Sequence, residues 1–211
     1  MELTRYDHAC VVLEQDGRRL VIDPGSFTRP LGGLRGVVAV VITHEHPDHW
    51  TEEQLAALRA GSPGMRVLGP DGVALAVSGQ PVETVRAGDA VEVEVFRLEF
   101  FGEKHAVIHS SIPVVDNVGV LVDDAFYYGG DSYTEPGRPI PVLAAPVGAP
   151  WLKIGEAMDY VLAVAPERAF AVHDRPLSEV GLRMQRDRLA WAATQGGGSF
   201  LELEPGETLT F

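Results

Sequence analysis

The chain has 211 residues, 45% of them hydrophobic and 22% charged, with no low-complexity tract; this length can bury a substantial core, and a single domain over 1–211 is expected. Thirty acidic against 17 basic residues give a formal charge of −13, which argues against the basic footprint that a nucleic-acid partner needs. The longest apolar runs are strand-sized, which excludes a membrane-spanning helix, and one cysteine, Cys10, excludes an internal disulfide. Met1 to Asp7 carries neither a basic start nor an apolar segment, so no secretory leader is expected and the expected compartment is the cytoplasm.

The first predicted element is a hairpin, Ala9 to Glu14, a turn at Gln15-Asp16-Gly17, then Arg19 to Ile22, closing on Asp23-Pro24-Gly25. Its strands are near-continuously apolar, which predicts cover on both faces. Cys10 with Val11, Val12 and Leu13 reads as an inert core thiol. Val37 to Ile42 is a further buried strand, followed by a helix on which Thr51 and Gln54 form a capping box ahead of Leu55 and Leu58. Then come a strand at Met65 to Leu68, a short helix at Val73 to Val77 and a strand at Val82 to Val85. A turn at Ala87-Gly88-Asp89 leads into one long strand, Val91 to Phe101.

A second hairpin is predicted from Val118 to Val122 and Phe126 to Tyr128, ending in Gly129-Gly130-Asp131. Val142 to Val147 is another buried strand, and Ile154, Met158, Val161, Leu162 and Ala165 share one helical face. Ala169 to Val172 is a strand ending at His173; a helix from Leu177 to Ala193 stops at Gly196-Gly197-Gly198; strands at Phe200 to Leu203 and Thr208 to Phe211 close the chain. Each half thus holds a hairpin ending in an acid (Asp23, Asp131) and, later, a buried strand ending in histidine (His44, His173). Equivalent strand ends in such a duplicated layout converge on one edge of the sheets.

The segment Thr43-His44-Glu45-His46-Pro47-Asp48-His49 carries the chemistry. Four potential metal ligands lie within six residues directly after an apolar strand, and three of the seven histidines are here. Neutral imidazole and carboxylate oxygen suit Zn²⁺ and neighbouring first-row ions. His44 and His46 are two apart in an extended loop and can face the same way, while Asp48 and His49 reach a neighbouring point. Two adjacent ligand groups point to two metals, and a paired site can hold a substrate and acidify a shared water.

This stretch resembles the His-x-His-x-Asp-His loop of the metallo-β-lactamase fold superfamily. The order of the remaining ligands is similar too: a lone histidine after a long strand (His105), an aspartate in a Gly-Asp turn (Asp131) and a late histidine ending a strand (His173). The resemblance spans nearly the whole chain, and the opening from Ala9 to Gly25 is most similar to the short ascorbate-phosphate-lactonase-like branch. It implies an α/β fold, a four-layer αββα sandwich with the site along one edge. It also implies one ion held by His44, His46 and His105, another by Asp48, His49 and His173, and Asp131 bridging the two. The expected ions are two divalent metals, Zn²⁺ first, with Mn²⁺ or Fe as alternatives.

His109 competes with His105 for the third position, but His105 lies nearer the strand end, where the family pattern places its ligand. His109 is then a partner for substrate and a candidate acid for the leaving group. Asp23 is a suitable acceptor for a ligand imidazole N–H. For His8 a plain structural role is as good a reading as any other. Tyr128, Tyr133 and Trp151 read as core packing ahead of pocket lining.

The expected reaction is hydrolysis of a small ester, lactone or phosphodiester by a metal-activated water, with Asp131 orienting the nucleophile and Asp48 beside it. Two dications against two carboxylates and a hydroxide leave the site locally positive, so the expected substrate is a small anion despite the acidic chain. A di-iron redox protein of the same fold and a metal-stabilised, non-catalytic binding protein are the alternatives. Ribonuclease activity is a weaker reading on charge grounds, and the fold name does not assign a β-lactam substrate.

Overall fold

The computed structural model describes all 211 residues. The first sheet is built from β1 (Glu2–Arg5), β2 (Val11–Gln15), β3 (Arg18–Ile22), β4 (Val37–Val41), β5 (Arg66–Gly69), β6 (Glu83–Thr84) and the last strand, β14 (Thr208–Thr210). The second sheet holds β7 (Ala90–Val93), β8 (Phe96–Phe101), β9 (Gly119–Val122), β10 (Phe126–Tyr128), β11 (Val142–Pro146), β12 (Arg168–Val172) and β13 (Ser199–Leu201). The strand orders are β14-β1-β2-β3-β4-β5-β6 and β7-β8-β9-β10-β11-β12-β13. Both sheets run as four antiparallel strands followed by three parallel ones, so the second repeats the first with β7 in the place of β14.

The near-continuous apolar strands are explained by what covers each face. Leu20, Ile22, Ala39 and Val41 point inward and meet Phe96, Leu98, Phe100, Phe126 and Phe170 of the second sheet. Val21, Val40 and Ile42, one position out of phase, face α1 (Glu52–Gly61) and α2 (Asp71–Ala76) through Leu55, Leu58 and Val73. On the other side Leu121, Tyr127, Leu143 and Ala171 meet α3 (Ile154–Val164) and α4 (Glu179–Gln195) through Ala157, Val161, Leu189 and Ala192. The result is the four-layer αββα sandwich. No helix is long and apolar enough to cross a membrane.

Three expectations need correction. The single strand from Val91 to Phe101 is two, folded back at Glu94, whose φ is +54°. Buried Val93 stands at an odd position and buried Phe96, Leu98 and Phe100 at even ones, which one strand cannot place on one face. The capping box is half formed: Thr51 accepts from the Gln54 backbone N–H at 3.1 Å, but the Gln54 side chain turns away to hold Leu31, Thr28 and Arg29. The proposed equivalence of His44 and His173 also shifts by one strand. His44 follows β4, whose counterpart is β11, whereas His173 follows β12, the counterpart of β5.

Candidate metal centre

The ends of β3, β4, β10 and β12 open on the same edge, and the loops leaving them carry Asp23, His44 to His49, Asp131 and His173. Two close approaches permit this crowding. A Cβ at Gly25 would lie 1.8 Å from the Asp48 carbonyl oxygen, so only glycine lets the loop after β3 pass under the histidine loop. Gly130, at φ +64°, would put a Cβ 2.4 Å from Asn117 Oδ1 and 2.8 Å from Thr43 Cβ. Asp23, His173 and His8 all adopt left-handed backbone at φ +49°, +61° and +61°. Such conformations persist where the surroundings over-determine them, as at functional sites.

Six of the seven histidines gather here, and hydrogen bonds settle which nitrogen of most rings is free. His49 Nδ1 is 2.6 Å from Asp23 Oδ2, His105 Nδ1 is 2.5 Å from the Ala106 carbonyl and His173 Nδ1 is 2.6 Å from the Gly148 carbonyl. Thr43 Oγ1 donates to Asp23 Oδ2 at 2.7 Å and so accepts from His44 Nδ1–H at 3.1 Å. Each of these Nδ1 atoms carries its proton outward, which leaves the Nε2 lone pair facing the cluster.

The free nitrogens form two groups. His44 Nε2 and His46 Nδ1 stand 3.1 Å apart with the His105 ring against both, its centroid 4.8 Å from each. Asp48, His49 and His173 form the second group, with His173 Nε2 3.4 Å from Asp48 Oδ2. Asp131 lies between them. Its Oδ2 is 3.4 Å from His105 Nε2 and 3.1 Å from His173 Nε2, and its Oδ1 is 3.3 Å from His49 Nε2.

The seven ligating residues expected from the sequence, His44, His46, Asp48, His49, His105, Asp131 and His173, are therefore brought together. His109 is not. Its exposed ring accepts from the Ser111 N–H at 3.2 Å and lies 2.8 Å from Ser111 Oγ, on a loop that turns outward after His105. A catalytic role for His109 has no support in this geometry.

Three further residues meet the site through contacts that sequence reasoning did not place. His8 is fully buried beside the second group, with Nε2 3.2 Å from Asp48 Oδ2. The Arg175 backbone N–H points at His8 Nδ1 from 3.4 Å, so the neutral ring holds its proton on Nε2 and donates it to Asp48. Asn117 accepts from the Asp131 backbone N–H at 3.0 Å and donates to the Gly129 carbonyl at 2.9 Å. Trp151 donates its indole N–H to Asp131 Oδ2 at 2.8 Å. All three act through partners distant in sequence, and only the Gly-Gly-Asp turn hinted that something must hold Asp131.

Charge fits the same picture. Burial and the neighbouring His49 push the His44 imidazole well below its ordinary pKa, and burial with His105 lowers His46, so both rings stay neutral. Burial opposes protonation of His49 and His173 too, but the carboxylates outweigh it: Asp131 and Asp23 raise His49, and Asp131 with Asp48 raises His173 to about 9. Against the cost of burial, His173 and His8 hold the Asp48 carboxyl far below its usual range, and His49 and His173 do so for Asp131.

Bound metal fits these residues on one structural test. His49 Nε2, His105 Nε2, His173 Nε2 and Asp131 Oδ1 are all buried without a hydrogen-bond partner, and they converge on one space. Orphaned buried polar atoms are costly and rare, and a cation that accepts their lone pairs removes the cost. The donor set, imidazole nitrogen with carboxylate oxygen, is the one that Zn²⁺, Mn²⁺ and Fe²⁺ accept. The largest surface groove, lined by Arg18, Val38, Met65 and Arg66, opens at the opposite strand ends and holds no ligating cluster.

Comparison with known proteins agrees with this geometry. A family model described as a beta-lactamase superfamily domain matches residues 2–173. Protein Rv0786c of Mycobacterium tuberculosis is 39% identical over 178 residues, covering 82% of this chain and 84% of that protein. Among solved structures, the metallo hydrolase Igni18 of Ignicoccus hospitalis is similar in fold, with a TM-score of 0.76 at 20% identity over 100% of this chain and 97% of that one. The diiron β-hydroxylase CmlA of Streptomyces venezuelae is similar over 100% of this chain and 54% of its own, with a TM-score of 0.73 at 16% identity. The matched region runs from β1 to His173, the last of the seven gathered residues, and the chain belongs to the beta-lactamase superfamily.

Proposed function

We propose that this protein is a metal-dependent hydrolase acting on a small, anionic ester, lactone or phosphodiester at a dinuclear centre. The observation that supports this reading most directly is the convergence of three buried Nε2 atoms and Asp131 Oδ1, none with a partner. His44, His46 and His105 would hold one ion, Asp48, His49 and His173 the other, with Asp131 shared. Bound there, a pair of divalent ions supplies Lewis acidity and a water acid enough to lose a proton near neutral pH.

The chain's own residues then set orientation and charge. Asp23, Ala106 O and Gly148 O fix the ring tautomers of His49, His105 and His173. Asp131, with its side chain 4% exposed, would orient the nucleophile, whereas Asp48, at 24%, is the more open of the two carboxylates. Arg29 and Arg175, both anchored on buried Asp7 at 2.6 Å and 2.8 Å, place two half-exposed guanidiniums beside the His8 loop. The two guanidiniums outnumber the one carboxylate they share, and the net positive charge left there would suit a carboxylate or phosphate substrate.

Redox chemistry at a di-iron centre is the second reading, supported by the likeness in fold to CmlA. The test is to load the purified protein with Zn²⁺, Mn²⁺ or Fe²⁺ and screen lactones, thioesters and phosphodiesters. Hydrolysis of one class, lost on chelation and restored by metal, is expected. Hydrolysis that survives thorough chelation overturns the reading, and visible absorption with turnover only of the iron form favours the redox one.

A further inference from the structure

We infer that Trp151 is a positioning residue, whose indole N–H fixes Asp131 so that both ions can bind; this rests on the dinuclear reading above. The Asp131 side chain has four nitrogen neighbours, but they are not alike. His105 and His173 carry their Nδ1 protons outward to the Ala106 and Gly148 carbonyls, so in their neutral, ligating forms they present lone pairs to Oδ2. His49 likewise commits Nδ1 to Asp23 and faces Oδ1 with Nε2. The indole N–H of Trp151 is different, because it is always a donor and never an acceptor. At 2.8 Å it is the one side-chain hydrogen bond that the carboxylate keeps whatever the protonation of the rings around it.

That bond sets the rotation of the carboxylate. The Asp131 backbone is pinned by Asn117 and by the close fit of Gly130 against Thr43. With the main chain fixed, the free variable is the turn of the carboxylate about its own axis, and Trp151 holds Oδ2 towards His105 and His173 while Oδ1 faces His49. The indole is itself held: it is 8% exposed and packs edge-on against Tyr133 at 5.3 Å and His105 at 5.8 Å between centroids. The segment that carries it, Gly148 to Trp151, also presents the carbonyl that orients His173. One loop without a ligand of its own therefore steadies two ligands in different parts of the chain.

The test compares Zn²⁺ binding by the wild-type chain and Trp151→Phe, by competition with a chromophoric chelator. The variant keeps an aromatic ring against Tyr133 and loses only the donor; metal-free circular dichroism checks its fold. Affinity is expected to fall about 10- to 100-fold, with two ions still bound at saturation. In the wild type, the assigned Trp151 indole N–H resonance should exchange slowly with solvent and move as Zn²⁺ is added, a readout that does not depend on the variant folding. A folded variant with wild-type affinity, or an indole resonance that zinc leaves in place, overturns the role of Trp151. A wild-type chain that binds no zinc overturns the metal-centre reading itself.

Discussion

The loops after β4 and β11 occupy equivalent places in the two sheets, yet they serve the centre in opposite ways. The loop after β4 carries four of the gathered residues close together, His44, His46, Asp48 and His49. The loop after β11 carries none, and instead holds His173 through Gly148 O and Asp131 through the Trp151 indole. A repeated framework can thus specialise one copy for binding and the other for support. The other gathered residues, His105, Asp131 and His173, come singly from three different connections of the second sheet.

The sharpest way to break this comparison is to remove one ligand from each side. His46→Ala and His173→Ala should each leave one ion bound and reduce hydrolysis by more than the roughly 10- to 100-fold that loss of an outer hydrogen-bond partner costs. Metal analysis by mass spectrometry decides it: two ions retained in either variant would dissolve the division into two groups. Gly130→Ala should come next, since it combines left-handed backbone with contacts of 2.4 Å and 2.8 Å to Asn117 and Thr43. A loss of about 2–4 kcal/mol in urea unfolding is expected. Asp23→Asn tests support on the first-sheet side, where the carboxylate accepts from His49. Its zinc affinity should fall by about 10- to 100-fold, as for the indole on the other side.

The smallest expected effect is on the pH dependence of the metal-free protein. Burial lowers His8 to about 4, so stability from its neutral ring is present above pH 6.5 and lost as pH falls towards 4. Asp131 and Asp48 raise His173 to about 9 against the cost of its burial, so its contribution is complete below pH 6.5 and lost as pH rises through 9. The melting temperature of chelated protein should therefore peak near neutrality and drop on the alkaline side by roughly 2–8 °C, for a change of about 1–2 kcal/mol. A flat profile from pH 6.5 to 9 would show that His173 is not held between charged carboxylates.

Much of this was legible in the chain itself, for identifiable reasons. Val37 to Ile42 announces a buried strand because both of its faces are covered, and the four ligands behind it are neighbours in sequence. His105, Asp131 and His173 could be placed only through likeness to a family, because nothing local marks them as partners. β1 was not anticipated: Glu2-Leu3-Thr4-Arg5 is mostly polar, and Arg5 is buried because it donates to the Ala171 carbonyl at 2.9 Å and pairs with Asp174. The fold-back at Glu94 has no Gly, Pro or Asn to announce it, and only the change of parity among buried positions betrays it. The contacts of Trp151 and His8 with the site are not local in sequence, since each meets a carboxylate 20 or 40 positions away.

Each ligand group draws on both sheets: His44 and His46 face His105 in one, Asp48 and His49 face His173 in the other. A cation in either group would therefore bridge the two layers, adding to the hydrocarbon core and to polar contacts such as that of Arg5 with the Ala171 carbonyl. Loading the centre would couple the opening of β4 to that of β12, so that neither layer can breathe alone. Metal content would then govern the mechanical unity of this protein as well as its chemistry.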